Sequence, residues 1–269
     1  MLTSAQNPKV RYFASLKEKK NRRTSGKFII EGIHLVREAL NADLIDKAIY
    51  SESIHKTLEG KNLLGKLISS GLPVEEASEK VIRDLSDVET PQGIIASVKP
   101  KNSDLGSLFD RPDPMIVAAC GIQDPGNLGT IIRTADAVGC SGIILTAGTV
   151  DPYNEKVIRA SSGSIFHLNI VKIDDIIDMV SALKRRAVRI ISTFVGAEKE
   201  YFSADLTGPI ALIIGSESKG LTAEVERVSD EAVSIPMLGQ AESLNAAVSG
   251  AVILYEALRQ RRLNAGKTD

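Results

Sequence analysis

The residues able to do chemistry lie in the second half of the chain and in one basic stretch near its start. Asn127 offers a carboxamide, and Arg133, nearly two turns on, a planar guanidinium fork suited to phosphate. Arg159 precedes a run of small polar residues, Ser161, Ser162, Gly163 and Ser164. That grouping can contact an anion or a ribose, or simply turn the chain. Gly215, Glu217, Lys219 and Gly220 follow an apolar run, and a glycine turn at the C-terminal end of a parallel strand is where α/β sheets place ligands. Ser243 and Asn245 form a polar pair at the start of the last long helical stretch. From Lys9 to Lys27, eight Lys/Arg stand against one acid, Glu18, with Tyr12 and Phe13 among them. Such a segment can grip phosphates and stack bases, with Lys17, Lys19, Lys20, Arg22 and Arg23 as the candidate contacts. A solvated helix face is the other reading of the same charges.

The elements that must position these groups alternate between strand and helix. Phe28–Glu31, Lys47–Tyr50, Pro73–Glu76 and Gly93–Val98 read as strands, with helices over Ile33–Leu40, Leu63–Ser70 and Glu79–Leu85. Lys99–Pro114 is rich in Pro, Asp, Ser and Gly and reads as a linker, which places a first domain at 1–107 and a second at 113–269. A chain starting near Arg111 is therefore expected to carry a complete core. In the second domain Met115–Cys120 is a buried-looking strand, and Asp124 followed by Pro125 is a strong helix start. Further strands are expected at Gly142–Thr146, Val188–Ser192, Ala211–Ile214 and Val233–Ile235, with a helix over Asp174–Arg186 and another capped by Thr222. Ser243 is the expected N-cap of the last helix, whose buried face is Leu244, Val248, Ala251, Val252 and Tyr255. His167 reads as a packing residue.

Composition excludes several classes. The chain has 269 residues, 43% hydrophobic and 25% charged, with a formal net charge of −1. Those values suit a soluble α/β protein and give no global sign of nucleic-acid binding. No apolar run reaches the ~18–20 residues of a membrane span, and the N-terminal residues lack the apolar core of a signal peptide. Two cysteines, Cys120 and Cys140, imply no disulfide framework and point to the cytoplasm. Three scattered histidines give no metal-ligand spacing, so no metal is expected. The phosphate-binding G-x-x-x-x-G-K-[ST] loop, the G-x-G-x-x-G dinucleotide turn and the G-x-S-x-G nucleophile elbow are all missing.

Three short signals occur in a fixed order: Asn127-x-Gly129 with Arg133, then Gly215-x-Glu217 with Gly220, then Ile235-Pro236-Met237 with Ser243-Leu244-Asn245. Together they resemble the three motifs of the SpoU/TrmH branch of the SPOUT RNA methyltransferases, over about residues 113 to 262. The stretch RASSGSIFHL matches what that family carries between its first two motifs, and FIIEGIHLVREAL resembles its N-terminal substrate-binding domain. Ser218 stands where many members have Gly or Ala, and Ala246 where Val is common.

The resemblance implies an S-adenosylmethionine-dependent ribose 2′-O-methyltransferase acting on RNA, ribosomal RNA ahead of transfer RNA. It implies a parallel α/β sheet with a deep trefoil knot, a rare exception to the usual chain connections. It also implies a homodimer, built through the small-residue faces of the first-motif helix and the last helix. Thr193, Gly215, Gly220, Ile235, Met237 and Leu244 would hold the cofactor, and Arg133, Asn127, Glu217, Ser243 and Asn245 would form the catalytic set. Arg133 would bind the target phosphate and orient the hydroxyl, and Asn127 would position Arg133 or the ribose. Glu217 would order its loop or pair with Arg133. RNA would meet the basic stretch and Arg159. Two alternatives stay open: a non-catalytic knotted RNA-binding protein, and a methyltransferase acting on an RNA base.

Overall fold

The computed structural model describes residues 1–216 and 220–265. It forms two compact units. One is Met1–Lys101 with Tyr153–Phe166, and the other is Asn102–Pro152 with His167 onward. The first unit therefore contains a piece of chain that the sequence places inside the second.

The first unit starts with α1 (Pro8–Ser15) and α2 (Lys19–Ser25). Asn7 caps α1, and Gly26, at φ 63°, ends α2 in the left-handed region that glycine tolerates. Then come β1 (Phe28–Glu31), α3 (Ile33–Asn41), β2 (Ile45–Tyr50), α4 (Leu58–Ser69), β3 (Val74–Glu76), α5 (Glu79–Leu85) and β4 (Ile94–Val98). Helix α4 begins five residues ahead of the sequence expectation because Thr57 caps it, its side chain accepting from the Gly60 amide. The sheet order is β1-β4-β2-β3, antiparallel except for β2 with β3. Val10, Phe13 and Leu16 pack with Ile29, Ile49, Ile82, Leu85 and Ile95 in its core. Phe13 is thus a core residue, 1% exposed, and half-buried Tyr12 is hydrogen-bonded to Ser97 at 2.9 Å. Phe13 has no free face for base stacking, and Lys47 Nζ lies 4.3 Å over the Tyr12 ring, where a base would have to stack.

The second unit opens with β5 (Met115–Cys120), α6 (Pro125–Ala137) and β6 (Gly142–Leu145). Asp124 caps α6 as the sequence predicts, accepting from the Asn127 amide, and Pro125 occupies the first turn. Helix α7 (Glu155–Ser161) lies in the inserted segment and belongs to the first unit. There Tyr153 stacks on Phe28 at 4.6 Å between centroids, and Phe166 lies 6.4 Å from Phe28. A chain starting near Arg111 would leave these side chains without that core, so the first unit reaches beyond the expected boundary at 107.

The second unit continues with β7 (Asn169–Lys172), α8 (Ile176–Lys184), β8 (Arg189–Thr193), β9 (Lys199–Glu200), β10 (Ile210–Gly215), α9 (Ala223–Val228), β11 (Glu231–Ser234) and α10 (Ala246–Ala265). All seven strands are parallel, in the order β7-β6-β5-β10-β8-β11-β9. Strands β5 and β10 are buried along their whole length, as a sheet covered on both faces requires. Cys120 and Cys140 are free and buried, and burial pushes both thiols up to about 12. Among the described residues no helix is long and apolar enough to cross a membrane.

Helix α10 departs from expectation twice. Its cap is Asn245, whose Oδ1 accepts from the Ala247 and Val248 amides, so Ser243 stays in the preceding loop. Its buried face is Ala246, Ala247, Ile253, Leu254 and Ala257, whereas Leu244, Val248 and Tyr255 are exposed in the single chain. The helix is apolar on two sides, so periodicity cannot choose between them. Small residues decide: α10 packs on α6 and β10, and a Cβ on Gly250 would lie 2.5 Å from Ile214 Cδ1. The small faces of α6 and α10 therefore meet each other within one chain.

Candidate functional site

The C-terminal ends of β8, β10 and β11 surround a cavity of about 220 Å³. Thr193 ends β8 and donates its hydroxyl to the Ile213 carbonyl at 3.1 Å. Gly215 ends β10, and a Cβ there would meet the Gly220 carbonyl carbon at 2.6 Å and the Leu221 amide at 2.8 Å. Only glycine allows the turn to fold back so closely. The Gly220 amide closes that turn on the Ser216 carbonyl at 2.8 Å, with Gly220 at φ 60°. Beyond β11, Ile235, Met237, Ser243 and Leu244 come from the loop that leads to α10 and complete the rim.

All six residues expected to hold the cofactor, Thr193, Gly215, Gly220, Ile235, Met237 and Leu244, line this one cavity, and Ser243 joins them. Phe194, Val195, Ile214, Ser216, Val233, Ala246, Ser249 and Ile253 also line it and were not anticipated. Half of them, Phe194, Ile214, Ser216 and Ala246, adjoin an anticipated residue, so strand ends were a usable signal, but the loop after β8 carries no pattern of its own. The described lining contains no charged side chain. Its polar groups are hydroxyls and backbone at the strand ends, so it suits an apolar ring with a few hydrogen-bonding groups.

Asn127 and Asn245 are brought together although 118 residues apart: Asn245 Nδ2 donates to Asn127 Oδ1 at 2.9 Å. This bond ties the start of α6 to the start of α10. Arg133 is exposed on α6, with no hydrogen-bond or ionic partner among the described residues. Glu217, with Ser218 and Lys219, lies outside the described residues.

The basic candidates divide. Lys19, Lys20 and Arg23 are exposed on α2. Lys17 pairs with Asp87 at 2.7 Å. Arg22 is only 8% exposed and turns inward, its Nη1 donating to the Leu16 and Lys17 carbonyls. It closes the end of α1 and presents no guanidinium to solvent, contrary to its expected phosphate role. Arg159, on α7, lies 4.0 Å from both Asp87 and Glu155. His167 is not a packing residue: its imidazole is half exposed, and Nδ1 lies 2.9 Å from Asp136.

A parallel sheet with a cavity at its strand ends, closed by a folded-back glycine turn and by the loop before the last helix, defines an α/β ligand-binding unit, here appended to a smaller α/β unit. The model of the SpoU rRNA methylase family matches residues 114–255, and an MRM3-like substrate-binding domain matches residues 7–96. The chain belongs to the SpoU rRNA methylase family. It is 34% identical to the 23S rRNA (guanosine(2553)-2′-O)-methyltransferase RlmP of Bacillus subtilis, over 94% of this chain and 97% of that protein. It superposes on the AdoMet-bound rRNA methyltransferase of Sinorhizobium meliloti with a TM-score of 0.85 at 34% identity, covering 96% of this chain and 97% of that one. The SpoU methyltransferase AviRb of Streptomyces viridochromogenes, in complex with AdoMet, gives 0.84 at 30% identity, with 96% and 99% covered.

Proposed function

We propose that this protein transfers a methyl group from S-adenosylmethionine to a ribose 2′-hydroxyl of ribosomal RNA. The observation that carries this reading is the cavity at the ends of β8, β10 and β11, in a chain that belongs to the SpoU rRNA methylase family. The lining fits the cofactor. Ile214, Ile235, Leu244 and Ile253 suit its adenine, the hydroxyls of Thr193, Ser216, Ser243 and Ser249 suit its polar groups, and Gly215 leaves backbone approachable. When bound, the cofactor supplies an electrophilic methyl group.

The chain's own residues supply position and proton management. Arg133 binds the target phosphate and orients the hydroxyl. A guanidinium, with pKa above ~12, is not the base, so the proton passes to a phosphate oxygen or water. Asn127 and Asn245, through their 2.9 Å bond, hold the Arg133 helix against the loop that rims the cavity. Ser243 contributes a hydroxyl on that rim, and Glu217 orders its turn or pairs with Arg133. Residues 1–107 take RNA through Lys19, Lys20 and Arg23 on α2, joined by Arg159 from the inserted helix α7, and the rest of residues 113–269 carry the chemistry. The family model for the first of these is a substrate-binding domain, and relatives matched across both units include named rRNA enzymes, which favours ribosomal over transfer RNA. The chain between β11 and α10 forms the family's trefoil knot, the exposed Val248 and Tyr255 of α10 meet a second copy in a homodimer, and the enzyme acts in the cytoplasm.

The deciding experiment incubates the protein with methyl-labelled S-adenosylmethionine and ribosomal or transfer RNA lacking the modification. Label in ribosomal RNA should sit in a dinucleotide that resists alkali, because a methylated 2′-oxygen cannot attack the neighbouring phosphate. Label that stays with the base after glycosidic cleavage would make this a base methyltransferase. Cofactor and RNA binding with no transfer would make it a binding protein.

A further inference from the structure

We propose that Gln260 and Arg261, near the far end of α10, are positioning residues that set where its first turns stand against the cofactor cavity. Helix α10 lines that cavity with Ala246, Ser249 and Ile253. Its packing face there is small: Ala246 and Ala247 are buried, and Gly250 rests on Ile214. A face of Ala and Gly presents no ridges to lock into a neighbour's grooves, so packing sets its position along the axis only weakly. The loop that leads into it, residues 235–245, carries no helix or strand.

The far end is held differently. Gln260 Oε1 accepts from the Leu206 amide at 2.8 Å, and its Nε2 donates to the Ala204 carbonyl at 3.0 Å. Glu256, one turn back, accepts from the same Nε2 at 2.8 Å, which fixes the way the amide faces. Half-buried Arg261 donates from Nε to the Leu206 carbonyl at 3.3 Å and from Nη1 to the Asp113 carbonyl at 2.9 Å. Its Nη2 donates to the Gly208 carbonyl. Hydrogen bonds are directional, so these bonds to residues 204–208 and to Asp113 define one position of the helix. The ground they hold is firm. Arg189 of β8 donates to the Thr207 carbonyl at 2.7 Å, and the Ile210 amide donates to the Pro114 carbonyl at 3.0 Å. Asp113 and Gly208 stand just before β5 and β10. Strand β10 runs six residues, about 20 Å, to Gly215 at the cavity. From Arg261 back to Ser249 the helix spans about 18 Å. Strand and helix are thus two arms of similar reach, joined at the base, whose other ends face the same cavity. A binding site works only when its groups are held within about 0.5 Å, so a slip at the base is felt through Ser249 and Ile253.

The inference rests on the cavity being the cofactor's, and the test separates the two. Calorimetry measures S-adenosylmethionine affinity in full-length wild type, Arg261→Ala and Gln260→Ala, at a temperature where circular dichroism shows each to be folded. Both variants should bind about tenfold or more weakly. Gln260→Ala removes fewer bonds to the base and serves if Arg261→Ala fails to fold. Val171→Ala is the control: it trims the core on β7, at the far edge of the sheet. It should lower the melting temperature and leave the affinity as in wild type. A merely structural anchor would lower the melting temperature of the Gln260 and Arg261 variants with affinity unchanged in the folded protein, and that result would overturn the proposal. An equal loss of affinity in Val171→Ala would overturn it too, because affinity would then follow stability alone. Wild type that fails to bind S-adenosylmethionine would remove the cofactor reading and the proposal with it. Normal binding by wild type and variants alike would remove the positioning role and leave the cofactor reading standing.

Discussion

The cavity of the second unit and the basic helices of the first are built on opposite physical terms. The described cavity lining contains no charged side chain and depends on shape: a glycine turn folded onto itself, strand ends and a loop rim. Helices α1 and α2 and the turn between them carry much charge, yet Lys17 and Arg22 are engaged internally and Lys9 pairs with Glu75 at 2.7 Å. Shape is fixed by backbone that cannot rearrange, whereas a charge answers to whichever partner is nearest. The first should give binding that ignores salt, and the second binding that salt weakens.

The largest test separates cofactor binding from charge altogether. Arg133→Ala should lower turnover by about 10²–10³, the range seen when a charge-stabilising donor is removed, with S-adenosylmethionine affinity unchanged within a few-fold. Near-wild-type turnover would remove Arg133 from the reaction, and a large loss of cofactor affinity would show that charge does reach the cavity. Gly215→Ala tests shape directly. The added carbon would meet the Gly220 backbone, so the turn must shift and cofactor affinity should fall about tenfold or more at any salt concentration. Calorimetry that finds normal affinity would show a tolerant turn.

A smaller effect divides the basic residues from each other. Arg22→Ala should cost about 1–3 kcal/mol of stability, read from chemical denaturation, because the buried Leu16 carbonyl and the partly buried Lys17 carbonyl lose their donor. Lys19, Lys20 and Arg23 changed together to Ala should leave stability alone and weaken RNA binding. The log–log salt slope should shrink by about 0.7 for each phosphate that is no longer neutralised on a single strand. An unchanged slope would make α2 a solvated face only.

The smallest concerns Glu155, which burial pushes up to about 7 with help from its hydrogen bond to Asp87. Asp87 is lowered in turn, first by that bond and then by Lys17. Between the ordinary carboxylate range and pH 7 the folded chain holds a proton that the unfolded chain has lost. The stability tied to Glu155 is therefore full at acid pH and declines as pH rises through about 7. Wild type should lose a few degrees of melting temperature between pH 5 and 8 relative to Glu155→Gln, and parallel curves would refute the assignment.

Sequence legibility follows the same division. Gly215, Gly220, Asp124 and Pro125 were readable because each answers a local backbone demand that few residues meet. That Gly215, Gly220, Ile235, Met237 and Leu244 share one cavity was readable because they sit in motifs that keep their order along the chain. The inward turn of Arg22 was not, since it depends on where the carbonyls ending α1 arrive. Nor was the buried side of α10, where two apolar stripes compete and the choice is made by α6 and by Ile214 beneath Gly250. The bond between Asn127 and Asn245 joins two residues already singled out, but nothing local announces that they touch.

The segment Tyr153–Phe166, inserted between β6 and β7 yet packed on Phe28, bears on how such a gene can be shuffled. A cut at the linker would not separate two modules. It would hand one recipient a core missing an aromatic layer, and the other a greasy loop. Recombination that moves either half intact must therefore carry fourteen residues from the middle of its neighbour, or replace them with a segment that makes its own peace with water.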